Sequence, residues 1–124
     1  MVRNTRQRAI IREVLEKADR PLGAQEVLTE AQEQMEGLGI ATVYRTIKGL
    51  VEESWLVPVE LPGEPPRYEL AGKDHHHHFH CKDCGKMYEL EGCVENLKKL
   101  IPKGFRITGH EVLLYGACAH CSAL

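Results

Sequence analysis

The chain has 124 residues, 43% hydrophobic and 27% charged, with a formal charge of −2 when its histidines are neutral. That length allows one domain or two very small ones, and units so small usually need a metal, disulfides or a partner subunit. No apolar run approaches the roughly 20 residues of a bilayer-crossing helix, and without a basic excess any nucleic-acid binding must come from a local patch.

The opening stretch, MVRNTRQRAIIREVLEK, has no signal-peptide core and no small-residue cleavage site, so the expectation is a cytoplasmic protein with no membrane association. Thr5 is placed to cap a helix over residues 6–18, with Ile10, Ile11, Val14, Leu15 and Ala18 at the 3.6-residue period. Pro21 and Gly23 break the chain, and a second helix is expected over 24–35 with Val27, Leu28, Ala31 and Met35 on one face. Glu36-Gly37-Leu38-Gly39 reads as a turn into a third helix over 41–53, with Val43, Ile47, Leu50 and Val51 inward. Residues 55–61 and 67–70 read as strands joined by the tip Pro62-Gly63-Glu64-Pro65-Pro66. Three helices and a hairpin are the winged-helix order, and the second and third helices form a helix-turn-helix that lays the third in a DNA major groove.

Composition breaks at Gly72-Lys73-Asp74, so residues 1–72 are expected to be a winged-helix DNA-binding domain and 73–124 a dimerisation and metal-binding domain. All five cysteines and all seven histidines lie in the second part. Within it, 86–90 reads as a strand, 94–100 as a short helix closed by Pro102 and Gly104, and 105–114 as a strand by its alternation. The whole is an α+β chain whose small second unit is expected to pair with a copy of itself.

Cys81-Lys82-Asp83-Cys84 and Cys118-Ala119-His120-Cys121 are two CxxC knuckles. Each turn puts two sulfurs on one side of a bend, and two turns supply four corners of a tetrahedron, the pattern of a structural zinc. Gly85 follows the first knuckle and permits the tight backbone. A redox pair is the plain alternative, but two knuckles bracketing one small unit favour a clamp whose binding energy is also folding energy. Such a site is saturated, so the run His75-His76-His77-His78 must serve something else. The run is internal and passes straight into Phe79-His80-Cys81, so it belongs to the fold and is no appended tag. In an extended strand His76 and His78 share one face and His75 and His77 the other, enough to feed two sites. Glu69, Cys93 and His110 are the further candidate ligands, while His80 and His120 are read as surface residues. A thiolate among imidazoles favours zinc; more oxygen donors would favour iron or manganese.

These features together resemble the ferric uptake regulator family of metal-dependent bacterial repressors. The carrying stretches are Gly39-Ile40-Ala41-Thr42-Val43-Tyr44-Arg45-Thr46, Arg67-Tyr68-Glu69-Leu70, His75 through Gly85, and His110 with Leu114-Tyr115-Gly116 and the last knuckle. The resemblance implies a homodimer with an N-terminal winged helix, and Cys81, Cys84, Cys118 and Cys121 as structural zinc ligands. It implies a regulatory set of Glu69, His76 and His78. The family's further ligand, a His just before the second helix, corresponds to Pro21 here, leaving Glu60 or water to complete that set. A second set matches His75, His77 and His110, with Cys93 at or near the family's acidic position. A Cys in place of a carboxylate makes the pattern most like the zinc uptake regulator branch.

On the DNA side, Arg3, Arg6, Arg8 and Arg12 give the first 12 residues four positive charges and no negative one, and Arg6 and Arg8 are assigned to phosphates. Thr42, Tyr44, Arg45 and Lys48 form the polar face of the third helix. An Arg there can donate two bonds to guanine and a Tyr ring can cover a thymine methyl, although Tyr44 also suits a core. A two-fold dimer should read an inverted-repeat operator in double-stranded DNA. The expected function is a zinc-responsive repressor. An iron- or peroxide-responsive regulator of the same family and a zinc buffer without operator specificity stand as alternatives. Catalysis is not expected: the chain lacks HExxH and the HxE…PCxxC of zinc deaminases.

Overall fold

In the computed structural model, which describes residues 5–123 and all of their side chains except that of Thr5, the chain divides into two units, Met1–Lys73 and Asp74–Leu124. The first opens with α1 (Thr5–Ala18), α2 (Ala24–Ala31) and α3 (Ile40–Glu52). Their periodic apolar residues meet in one core: Ile11, Leu15, Val27, Val43, Ile47 and Leu50 are almost wholly buried. Thr5 is already helical, and its capping side chain, like Arg3, lies outside the described residues. Pro21 stops α1 from running on, and Gly23 begins α2 by donating its N–H to the Glu26 carboxylate at 3.0 Å.

The second helix is shorter than its apolar period suggests. It ends at Ala31, whose carbonyl accepts from both Gln34 N–H and Met35 N–H at 3.0 Å, closing the turn. Met35 still packs on the core from that turn, which is why the periodicity runs on past the helix. A tight connection then leads through the buried Leu38 to α3.

The wing is an antiparallel hairpin of β1 (Leu56–Leu61) and β2 (Glu64–Leu70), with Leu56 opposite Leu70 and Val57 opposite Glu69. Its turn is only Pro62-Gly63, with Gly63 at φ +75, so Pro65 and Pro66 fall in β2 instead of in a five-residue tip. A two-stranded ribbon is all edge, where proline's missing N–H is tolerated. Leu22 and Tyr68 exchange backbone hydrogen bonds of 2.9 and 2.8 Å, stitching the wing to the α1–α2 connection.

The second unit is a three-stranded sheet in the order β4-β3-β5, from β3 (His77–Cys81), β4 (Met87–Leu90) and β5 (Leu113–Gly116), followed by the one-turn α4 (Ala119–Ser122). Strand β3 runs antiparallel to β4 and parallel to β5, with Cys81 beside Gly116. Parallel pairing therefore brings the C-terminal ends of β3 and β5 to the same end of the sheet. Two expectations fail here. The helix over 94–100 is reduced to a 3₁₀ turn, Leu97–Leu100, entered through Asn96 at φ 62. The strand over 105–114 exists only from Leu113 onward. Val94, Leu100 and Phe105 are 48%, 79% and 67% exposed, so neither segment has an apolar surface of this chain to pack against. Among the described residues no helix is long and apolar enough to cross a membrane.

Candidate metal centres and the exposed helix

The register of β3 and β5 assembles the cysteines. Cys81 ends β3, Cys84 follows one turn later, Cys118 lies two residues beyond β5 at the N-cap of α4, and Cys121 lies within α4. The four sulfurs lie within 4.8 Å of one another, with Cys84 Sγ and Cys118 Sγ at 4.0 Å. The backbone N–H of Cys84, and then that of Cys118, donate to Cys81 Sγ at 3.4 and 3.3 Å and draw its thiol down to about 6. Cys118 is held below the ordinary thiol range chiefly by the Cys121 backbone N–H, whereas hydrogen bonding with Cys118 and Cys81 pushes Cys121 up to about 12. Four sulfurs cannot all ionise side by side in water alone. The donor set fits a soft divalent cation, whose charge replaces the proton that Cys121 otherwise retains.

A second cluster lies wholly within the same unit: His75, His77, Cys93 and His110 each direct one donor atom into a space less than 4.8 Å across. Cys93 Sγ is 2.8 Å from His110 Nε2 and 3.5 Å from the Nε2 atoms of both His75 and His77. His75 Nε2 and His110 Nε2 are 3.1 Å apart. Burial, reinforced by the neighbouring imidazoles of His75 and His110, lowers the pKa of His77 and disfavours its charged form. Three imidazoles and a thiol are borderline-to-soft donors, suited to zinc more than to iron or manganese.

On the other face of the run, His76 Nε2 and His78 Nε2 are 3.2 Å apart. His76 Nδ1 donates to the Asp74 carbonyl at 2.8 Å, which fixes the tautomer with Nε2 unprotonated. Glu69 sits on β2 in the first unit, and Pro21, where a family ligand would stand, is buried between α1 and α2. Of the two histidines read as surface residues, His120 is exposed, but His80 is only 3% exposed. It lies on β3 between Met87 and Tyr115 of the flanking strands, so the central position of its strand overrides its polarity.

The polar face of α3 is open. Tyr44 is 53% exposed and so is no core aromatic, and Arg45 and Lys48 are exposed beside it. Arg45 donates to Thr42 Oγ1 at 3.1 Å, a local bond that holds the guanidinium over the start of the helix. Arg6 donates to the Gln34 carbonyl at 3.4 Å and Arg8 pairs with Glu53 just past α3, so both arginines have partners within the unit.

The sequence profile of the ferric uptake regulator family matches residues 1–115. The chain belongs to this family. It is 37% identical over 123 residues to a ferric uptake regulation protein of Campylobacter jejuni, covering 95% of this chain and 78% of that one. Its fold is similar to a zinc-bound manganese uptake regulator, with a TM-score of 0.81, 27% identity and coverage of 90% and 87%. It is also similar to FurB of M. tuberculosis, a zinc uptake regulator, with a TM-score of 0.55, 30% identity and coverage of 97% and 95%. The chain is thus a metal-responsive transcription regulator with a winged-helix fold, and no enzyme; regulators of the ferric uptake family act as dimers on DNA with divalent metals.

The backbone groups that orient this regulator's histidines were invisible in the sequence. They are the carbonyl of Asp74 on His76 and the N–H of Val112, which donates to His77 Nδ1 at 3.2 Å. No side-chain pattern signals them, because any residue type carries a backbone amide.

Proposed function

We propose that this family member is a zinc-responsive repressor that acts in the cytoplasm and binds an inverted-repeat operator as a homodimer when its regulatory metal is bound. The observation that carries the metal assignment is the Cys93 sulfur, which lies within 3.5 Å of three imidazole nitrogens. A thiolate in that position selects zinc over the harder iron and manganese. Cys81, Cys84, Cys118 and Cys121 hold a structural zinc in the dimerisation unit, residues 73–124. Strand β5, an edge of its sheet carrying the exposed Leu114 and Tyr115, supports pairing with a second copy.

The regulatory ligands are His75, His77, Cys93 and His110 in one set and Glu69, His76 and His78 in another, with Glu60 or water completing the latter. Glu69 belongs to the wing and His76 to the other unit, so a shared ligand set restrains the winged-helix domain, residues 1–72. The spacing of two α3 helices is then fixed, and DNA and metal must strengthen each other's binding reciprocally. Thr42, Tyr44, Arg45 and Lys48 enter the major groove, and Arg6 and Arg8 meet flanking phosphates.

The test is operator affinity measured metal by metal on DNA selected from a random pool by the metal-loaded protein, with the structural zinc retained throughout. Tight binding with added zinc, and not with ferrous iron or manganese, is expected. Equal binding with and without the regulatory metal would overturn the reading. Iron or manganese sensing is the second reading. It is favoured by the oxygen and imidazole donors of the Glu69 set and by the name of the C. jejuni relative.

A further inference from the structure

The chain leaves the first unit through Ala71, Gly72 and Lys73, and this exit is fastened from within the unit. Ala71 N–H donates to the Trp55 carbonyl at 3.0 Å, and Trp55 N–H donates to the Leu50 carbonyl at 2.9 Å. Leu50 is wholly buried in the last turn of α3, so two backbone bonds lead from the exit to that helix. The Trp55 ring packs against the core, and the Arg12 guanidinium of α1 lies over it, 4.6 Å from its centroid. One turn earlier on α1, Arg8 pairs with Glu53. The first helix thus grips both ends of Glu53-Ser54-Trp55, the turn that ends α3, where Ser54 stands at φ 64. Beyond Ala71, Gly72 turns the chain at φ +80, and Lys73 reaches back to Asp19, just past α1, at 3.6 Å.

We propose that Trp55, braced by Arg12, is a positioning residue for the metal response: it makes the exit of the chain a rigid mount for α3. This rests on the reading that the regulatory metal restrains the winged-helix domain. One ligand tether, such as that from Glu69, leaves a domain free to swivel about it. A second fixed point sets the orientation, and the linker supplies one only where its first residues are rigid with the domain. The bonds from Ala71 through Trp55 to Leu50 carry that rigidity to α3, and the stacked guanidinium keeps Trp55 from tilting away. Without the metal the domain is unrestrained, so the mount has nothing to act against. Its contribution is therefore confined to the metal-loaded state, the differential effect that coupling between two ligands requires.

The test uses the full chain and DNA selected from a random pool by the zinc-loaded wild type. Affinity is measured with zinc(II) added and again without it, the zinc of the four cysteines being retained throughout. Arg12→Leu should weaken binding with zinc by about 2-fold to 5-fold, the size of a partly exposed cation–π contact, and leave zinc-free binding unchanged. Trp55→Leu should reproduce that selective loss, and Trp55→Phe, which keeps a ring under the guanidinium, should recover most of it. The double variant Arg12→Leu/Trp55→Leu should bind no more weakly than Trp55→Leu alone, since one contact is lost only once. Arg12 lies on the partly exposed side of α1, so its variant keeps the proposal testable even if Trp55→Leu fails to fold. An equal loss with and without zinc in Arg12→Leu, joined to a shallower salt dependence, would make Arg12 a phosphate contact and overturn the inference. No loss in either state would overturn it too. If wild-type binding ignores added zinc, the reading of a metal-restrained domain fails first, and that outcome is visible before any variant is made.

Discussion

Among the described residues, Met1–Lys73 buries Ile11, Leu15, Val27, Val43, Ile47, Leu50 and Leu56 in one cluster, while the buried apolar side chains of Asp74–Leu124 are Cys81 and Met87. The first unit is held by apolar burial, as a soluble domain ordinarily is. The second has a three-stranded sheet with few buried apolar side chains, and two clusters of side chains that could hold a metal ion. A small unit short of core needs another source of stability, and metal binding is one that the environment can withdraw. On the proposed reading, the DNA-binding unit is held by its own core and the sensing unit depends on its ligands.

The comparison breaks first at the cysteines. On the proposed zinc clamp, Cys84→Ser removes a ligand whose site supplies on the order of 10 kcal/mol or more of folding free energy. The second half should lose zinc and become protease-sensitive, while α1 to α3 keep their helical circular dichroism. Zinc content by mass spectrometry and limited proteolysis check this, and a half that stays protected without metal would refute it. The next largest effect is in the other unit. Ile47 is 2% exposed at the centre of α3, and Ile47→Ala should cost about 2–5 kcal/mol by thermal or denaturant unfolding. Zinc content should not change. Loss of metal along with the fold would show that the two units share one stability.

The same contrast explains what could be read from the sequence. In the first unit every apolar period found its partner inside the chain, so three helices and the wing were legible from spacing alone. The errors there were local: α2 ends one turn early at Ala31, and Pro65 and Pro66 join β2 instead of the turn. In the second unit the two CxxC spacings and the alternation of the histidine run foreshadowed the grouping of the candidate ligands, while Cys93 and His110 were matched to the second set only through the family resemblance. The helix over 94–100 and most of the strand over 105–114 were misread, because Val94, Leu100, Phe105 and Ile107 alternate or recur without a surface of this chain to bury them. His80 was misread for a related reason: its strand is central, flanked by β4 and β5, and position outweighed residue type.

A smaller effect is expected on α3, where function and stability separate. Arg45 is exposed and bonded only locally to Thr42, so Arg45→Ala should leave the melting temperature within about a degree or two, as surface substitutions usually do. On the proposed reading it should cost about 1–3 kcal/mol of operator binding and relax preference at one base position. Competition assays on operator variants would check it; a uniform loss on every sequence would instead assign Arg45 to a phosphate.

The smallest effect discriminates two roles for Arg8. Its guanidinium pairs with Glu53, and both side chains are partly exposed, so the pair is worth at most about 1 kcal/mol to the first unit. A purely structural pair predicts that Arg8→Ala and Glu53→Ala destabilise equally and leave DNA binding alone. A phosphate contact predicts an asymmetry. Arg8→Ala should lower operator affinity on all sequences and reduce the slope of log affinity against log salt by about one, because one fewer counterion is released. Glu53→Ala should bind DNA as well as wild type or better, since it frees the guanidinium and removes a negative charge beside it. Salt titrations of the two variants separate these roles even where their melting temperatures coincide, because counterion release is a property of the complex and the ion pair is a property of the free protein.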